Sequence, residues 1–157
     1  MPALVGRTGT PAASLPAVSN VDGGDATAVA RAAVVTMWTV DTAIDATQWD
    51  AAQRAAPFLT PAYAESLRIS PQVAGPGGTW LTWAQHKAVT RVVATSADDS
   101  GKPPDTDTKA LHAFMVTITA SGGNGWTGPP VIATAFVSLE RASAAQPWKV
   151  SSVRLID

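Results

Sequence analysis

Asp41 and Asp45 are one helical turn apart, and Tyr63 is the only tyrosine of the chain. Residues four apart on a helix share a face. A carboxylate buried on such a face, with its pKa raised, makes a competent general base. Tyr63 could supply a hydroxyl to the same pocket. In the competing reading both aspartates sit near the helix end, partly solvated, or pair with Arg54. Like charges at this spacing are common on exposed helix faces, so the competing reading is preferred.

Two histidines, His86 and His112, are the next candidates. Each falls on a predicted strand, and adjacent strands could bring them together. Two histidines with no carboxylate cluster beside them do not hold a catalytic metal well. They read better as one surface histidine and one hydrogen-bonded wall histidine. The six tryptophans are Trp38, Trp49, Trp80, Trp83, Trp126 and Trp148. Trp38 and Trp148 are expected in the core, and Trp80 or Trp83 with them. Trp126 follows a glycine-rich turn and is expected as an exposed contact, with Asn124 beside it. The glycine clusters at 75–78 and 122–125 lack the lysine or the spacing that phosphate binding needs. The sequence has no nucleophile elbow, P-loop, dinucleotide fingerprint, HExxH pair or EF-hand loop. No catalytic residue, cofactor or metal is therefore assigned.

Composition narrows the classes further. The 157 residues favour one domain with a proper core, being 46% hydrophobic and only 15% charged. Eleven basic and twelve acidic residues are spread singly, giving a net charge of −1. Without a basic stripe, direct nucleic-acid binding has no electrostatic footing. The lack of cysteine excludes disulfides and thiolate chemistry. No window has the roughly 18 apolar residues that span a bilayer.

The elements that must position these residues follow in order. Residues 1–24 are rich in Pro, Gly, Ala, Ser and Thr, and read as a flexible linker or stalk within a longer chain. Residues 25–157 are the domain. Asp25 is the expected N-cap of a long helix that continues for about twenty residues without Pro or Gly, through Asp41 and Ile44. Its apolar arc is too wide for a surface helix, so it needs cover on most sides. A second short helix carries Trp49, Ala52 and Ala56, and Pro57 stops or bends it. Thr60 caps a third, with Pro61 at its first position. Residues 70–79 are a breaker-rich loop. Four strands are expected after it: Trp80 to Ala94, Ala110 to Thr119, Val131 to Arg141 and Trp148 to Ile156. The polar stretch 95–108 is the first hairpin loop.

Helices followed by a meander of four strands make an α+β fold. The expected form is a strongly curved antiparallel sheet around the long helix, a cone resembling the nuclear-transport-factor-2-like fold. Three segments carry a further resemblance. They are the run from Ala33 through RAAPFLTP to Leu67, the GPGGTWLTWAQHKAV segment, and the closing QPWKVSSVRL. Together they resemble the extracytoplasmic domain of TcpC-like actinobacterial conjugation proteins, relatives of a single-pass assembly component of type IV secretion systems. Mycobacterial Mce-associated envelope proteins have a similar layout.

The resemblance implies a membrane-anchored subunit whose transmembrane helix is absent from this chain. This domain would then lie outside the cell membrane. It implies a non-enzymatic scaffold that binds other secretion or conjugation channel subunits and forms a homo-oligomer, a dimer or trimer. Within that reading, the Trp126 turn and the outer sheet face are the expected contact surface. The rival is a small-molecule binder, isomerase or dehydratase of the same fold, using Asp41 or Asp45 in an open apolar pocket. The scaffold reading instead expects an interior filled by Trp and Val.

Overall fold

The computed structural model describes residues 15–45, 47–69, 78–97 and 101–156. Among them are four α-helices followed by one four-stranded antiparallel sheet, an α+β arrangement. None of the helices among the described residues is long and apolar enough to cross a membrane.

Helix α1 spans Ala26–Trp38. Asp25 caps it as expected, its Oδ1 accepting the Ala28 N–H at 3.1 Å. Val29, Ala30, Ala33, Val34 and Met37 are buried along it. The helix is shorter than its sequence suggests, and the reason lies in the partners available to residues 38–42. Thr90 Oγ1 donates to the Trp38 carbonyl at 2.7 Å and accepts the Val40 N–H at 2.7 Å. Thr90 N–H donates to the Val40 carbonyl, and Thr42 N–H to the Ala88 carbonyl. Asp41 makes a bridge with Val89. These strand-like bonds replace the last helical turns, and the β-branched run of Thr39, Val40 and Thr42 favours the extended backbone they require.

Helix α2, Gln48–Gln53, follows Thr47, whose N–H donates back to the Asp50 carboxylate at 3.2 Å. A 3₁₀ turn over Ala56–Phe58 contains Pro57. Helix α3, Pro61–Ile69, starts where expected: Thr60 Oγ1 accepts the Tyr63 N–H at 3.1 Å. The breaker-rich stretch 70–77 lies outside the described residues.

Helix α4, Gly78–Gln85, stands where the first half of a long strand was expected. Trp80, Trp83 and Ala84 satisfy a helical period as well as a strand period. The helix ends in a hydrogen-bonding pattern that satisfies its last carbonyls: Lys87 N–H donates to Ala84 and Ala88 N–H to Trp83. Lys87 takes the left-handed conformation, φ 52°, that glycine usually fills. No glycine marks this end in the sequence, which is why the boundary is not legible there.

The strands are β1, Val89–Ser96; β2, Lys109–Ser121; β3, Val131–Glu140; and β4, Lys149–Ile156. They pair in the order β1-β2-β3-β4, as a meander must. Alternation holds on β2, where Ala110, His112, Phe114, Val116, Ile118 and Ala120 point inward. Helix α1 packs against all four strands, and α2 covers part of its other side. The Trp and Val filling expected of the interior is present: Trp38, Trp83, Trp148, Val34, Val116, Val137 and Val150 are buried. The strong curvature expected of the sheet is not found; it has one bulge, at Ser138/Leu139, and is not strongly curled.

Of the stretch expected as linker, residues 1–14 lie outside the described residues. Its last residues are packed rather than free. Val21 packs against the core, and the Gly23 carbonyl accepts the Trp148 N–H at 2.8 Å. A Cβ at Gly23 would sit 2.9 Å from Pro147 Cβ, so the close approach suits glycine.

Candidate functional site

The two aspartates do not share a helix face, because α1 ends before them. They form instead a polar knot that ties the helix exit to β1 and α2. Arg54 lies just past α2 and grips Asp45 with both guanidinium arms, Nη1 to Oδ1 at 2.6 Å and Nη2 to Oδ2 at 2.7 Å. Nη2 also donates to the Thr39 carbonyl at 2.8 Å. Asp45 Oδ2 accepts the Asp41 N–H at 2.9 Å, and Asp41 Oδ1 accepts the Ala43 N–H at 3.0 Å. Both oxygens of Asp45 are thus committed, one of them twice. A bidentate arginine holds a carboxylate as an anion and fixes its geometry. The pairing with Arg54 that the sequence offers as the blander alternative is the one the structure contains.

Tyr63 lies far from this knot. Its hydroxyl oxygen accepts the Val153 N–H at 3.2 Å, on β4. Asp41 bridges to β1, and β1 and β4 are the two edges of the sheet. Three strand spacings, about 14 Å, therefore separate the residues considered as one pocket. Asp41 and Asp45 are brought together, and Tyr63 is not brought to them.

Burial pushes the Tyr63 phenol above its ordinary value of 10.0, and the Val153 hydrogen bond pulls it down by less. Folding therefore favours the neutral phenol. The stabilisation is complete below the ordinary value and is lost as pH rises through the raised one. Alkaline titration of tyrosinate absorbance is expected to show native Tyr63 ionising at higher pH than in guanidinium-unfolded protein. Coincident titrations would contradict this placement.

The histidines divide as the sequence suggests and do not meet. His112 is buried on the inner face of β2, its Nε2 3.0 Å from Asp105 Oδ2. His86 follows α4, and its carbonyl accepts the Gly123 N–H at 3.1 Å. Some ten residues of β2, roughly 30 Å, lie between the two positions. Among the described residues no cluster of His, Asp and Glu is suited to hold a metal.

The Trp126 turn also differs from expectation. The Trp126 ring stacks on His86, centroids 4.1 Å apart and planes 5° from parallel, and is half-buried. A Cβ at Gly128 would meet Trp126 Cη2 at 2.9 Å, so the ring lies flat on its own hairpin. A Cβ at Gly122 would come 2.4 Å from the His86 carbonyl oxygen, which makes glycine necessary there. Asn124 is exposed at the tip with φ 58°. The turn thus locks α4 onto the hairpin rather than presenting an indole to solvent. Trp38, Trp83 and Trp148 are core residues and Trp80 packs against them, while the Trp49 side chain lies outside the described residues.

What the structure presents most openly is the outer face of the sheet. Val93, Leu111, Met115, Ile132, Phe136 and Ile156 are exposed there, six of the nine exposed large apolar residues described. Register makes them neighbours. Val93 and Ile132 flank Thr117, Met115 and Ile156 flank Thr134, and Phe136 sits beside Ala113. No single feature of the sequence announces this patch, because alternation predicts an outward face without predicting that it is apolar.

Both sheet edges, by contrast, are occupied. On β1, Arg31 reaches from α1 to donate to the Ala94 carbonyl at 3.3 Å and to Ser96 Oγ at 3.2 Å. Residues 40–42 pair with the start of the same strand. On β4, Leu59 bridges to Val150, Thr60 N–H donates to the Val150 carbonyl at 2.8 Å, and Tyr63 accepts from Val153. Such blocking suppresses pairing with a further strand.

Comparison with protein-family models, curated proteins and solved structures finds no match.

Proposed function

We propose that this is a non-catalytic assembly domain of a membrane-anchored conjugative transfer, or type IV secretion, channel component. It would be held outside the cell membrane by a single-pass helix not contained in this chain. It would act by binding other channel subunits and copies of itself. The observation that carries the reading is the uncovered apolar outer face, set between two edges that are already occupied. A surface of that kind serves association rather than chemistry in a cleft. Tight use of both Asp45 oxygens by Arg54 and the Asp41 amide removes the support for a free general base.

The segments that carry the family resemblance also lie side by side. The RAAPFLTP turn supplies Arg54 to the knot and Leu59 and Thr60 to β4, where they meet Val150 of the Trp-x-Val ending. Helices first, then a meander with α1 across all four strands, supports a shallow member of the nuclear-transport-factor-2-like folds.

Deletion of the encoding gene in a conjugating host tests the reading. Transfer of the plasmid to recipients is expected to be abolished and to return when the full-length gene is supplied in trans. Unchanged transfer in the deletion strain would overturn it.

A further inference from the structure

Resting on the assembly reading, we infer that the outer sheet face is where two copies of this chain pack, sheet against sheet. The six exposed apolar side chains offer on the order of 500 Å² of contiguous apolar surface, near the top of what a lone domain usually shows. With Thr95, Thr117, Thr134, Ser138 and Arg154 between and around them, the face approaches the about 800 Å² that each partner gives to a standard interface. Among the described residues no element lies over it.

The layout of the face favours a second copy. Its centre, around Met115, Thr134 and Phe136, holds no charge, and the charged groups stand at the rim. Lys109 and Glu140 neutralise one another at one end, 2.7 Å apart, and Arg154 lies 5.6 Å from the Phe136 ring centroid. An apolar centre within a polar rim is the anatomy of an interface. Large side chains alternate with small ones: Met115, Ile132 and Phe136 project beside Ala113, Thr117 and Thr134. One such face can therefore interdigitate with another across the roughly 10 Å spacing of packed sheets. Two identical faces meet about a two-fold axis and close the assembly at two, whereas addition at an edge would run on. The occupied edges leave the face as the route to association.

Sedimentation velocity over a range of concentrations tests the inference. The chain is expected to move towards twice its single-chain mass as concentration rises. Met115→Lys and Ile132→Lys each place a charge at the seam and are expected to hold the protein at single-chain mass with an unchanged circular dichroism spectrum. Leu81→Lys, at an exposed apolar residue of α4 away from the sheet, is expected to leave the dimer intact. A wild-type chain that stays monomeric throughout, or a dimer indifferent to both seam substitutions, would overturn the inference. Failure here is distinguishable from failure of the assembly reading. A monomeric chain whose gene is still required for transfer sinks only the self-pairing, and a dimer dispensable for transfer sinks only the channel role.

Discussion

Replacing Phe114 by alanine is expected to destabilise the domain by about 3–5 kcal/mol, the range for deleting a fully buried phenyl ring. Phe114 is wholly inaccessible at the middle of β2, between Ser96 on β1 and Ala135 on β3. The size of the effect follows from its surroundings. Ala135, Ala30 and Ala33 belong to the same buried cluster and have no side-chain reach with which to fill the space the ring leaves. A site that collapses poorly keeps its cavity, and the cavity adds to the lost transfer energy. Chemical denaturation is expected to show a lower midpoint with an unchanged slope. A loss under about 1 kcal/mol would mean the ring is not central to the core.

Replacing Arg54 by alanine is the second large effect, expected near 3 kcal/mol because it strands an ion whose partner is gone. The Asp45 side chain is 1% exposed, against 19% for Arg54, so the carboxylate is the group left in low dielectric. It would retain the Asp41 N–H and nothing of comparable strength among the contacts described above. The partial exposure of Arg54 places the estimate at the lower end of the range for broken buried pairs. Removing both partners, with Asp45→Ala added, is expected to cost less than the sum of the two single changes. Such a coupling energy marks a pair in direct contact. Additive losses would show the two groups acting independently, and the knot would lose its role in joining α1, α2 and β1.

These two residues also show how unevenly the sequence reveals the molecule. Phe114 is legible because β2 alternates over its whole length, and the strand pattern places it inward without reference to anything distant. The caps at Asp25 and Thr60 are legible for the same reason, being local chemistry between a side chain and the next turn. Asp41 and Asp45 mislead because their spacing speaks for helix, whereas the outcome depends on Thr90, some fifty residues away, capturing the backbone at Trp38 and Val40. The α4 segment misleads for a different reason. Its two tryptophans fit either period, and its end is made by a lysine in a glycine's conformation. Trp126 is placed in a turn correctly, but its partner His86 comes from another element, so its burial cannot be read locally. The apolar outer face is the converse case. Each of its residues is visible in the sequence, and only the register of four strands collects them into a patch.

The central claim is that this domain works through that outer face. Complementation of the deletion strain with full-length protein carrying Met115→Lys tests it most directly. The variant is expected to accumulate to wild-type levels, because Met115 is 52% exposed and its loss opens no cavity, and yet to restore no plasmid transfer. Transfer restored to the wild-type level by the same variant would contradict the account.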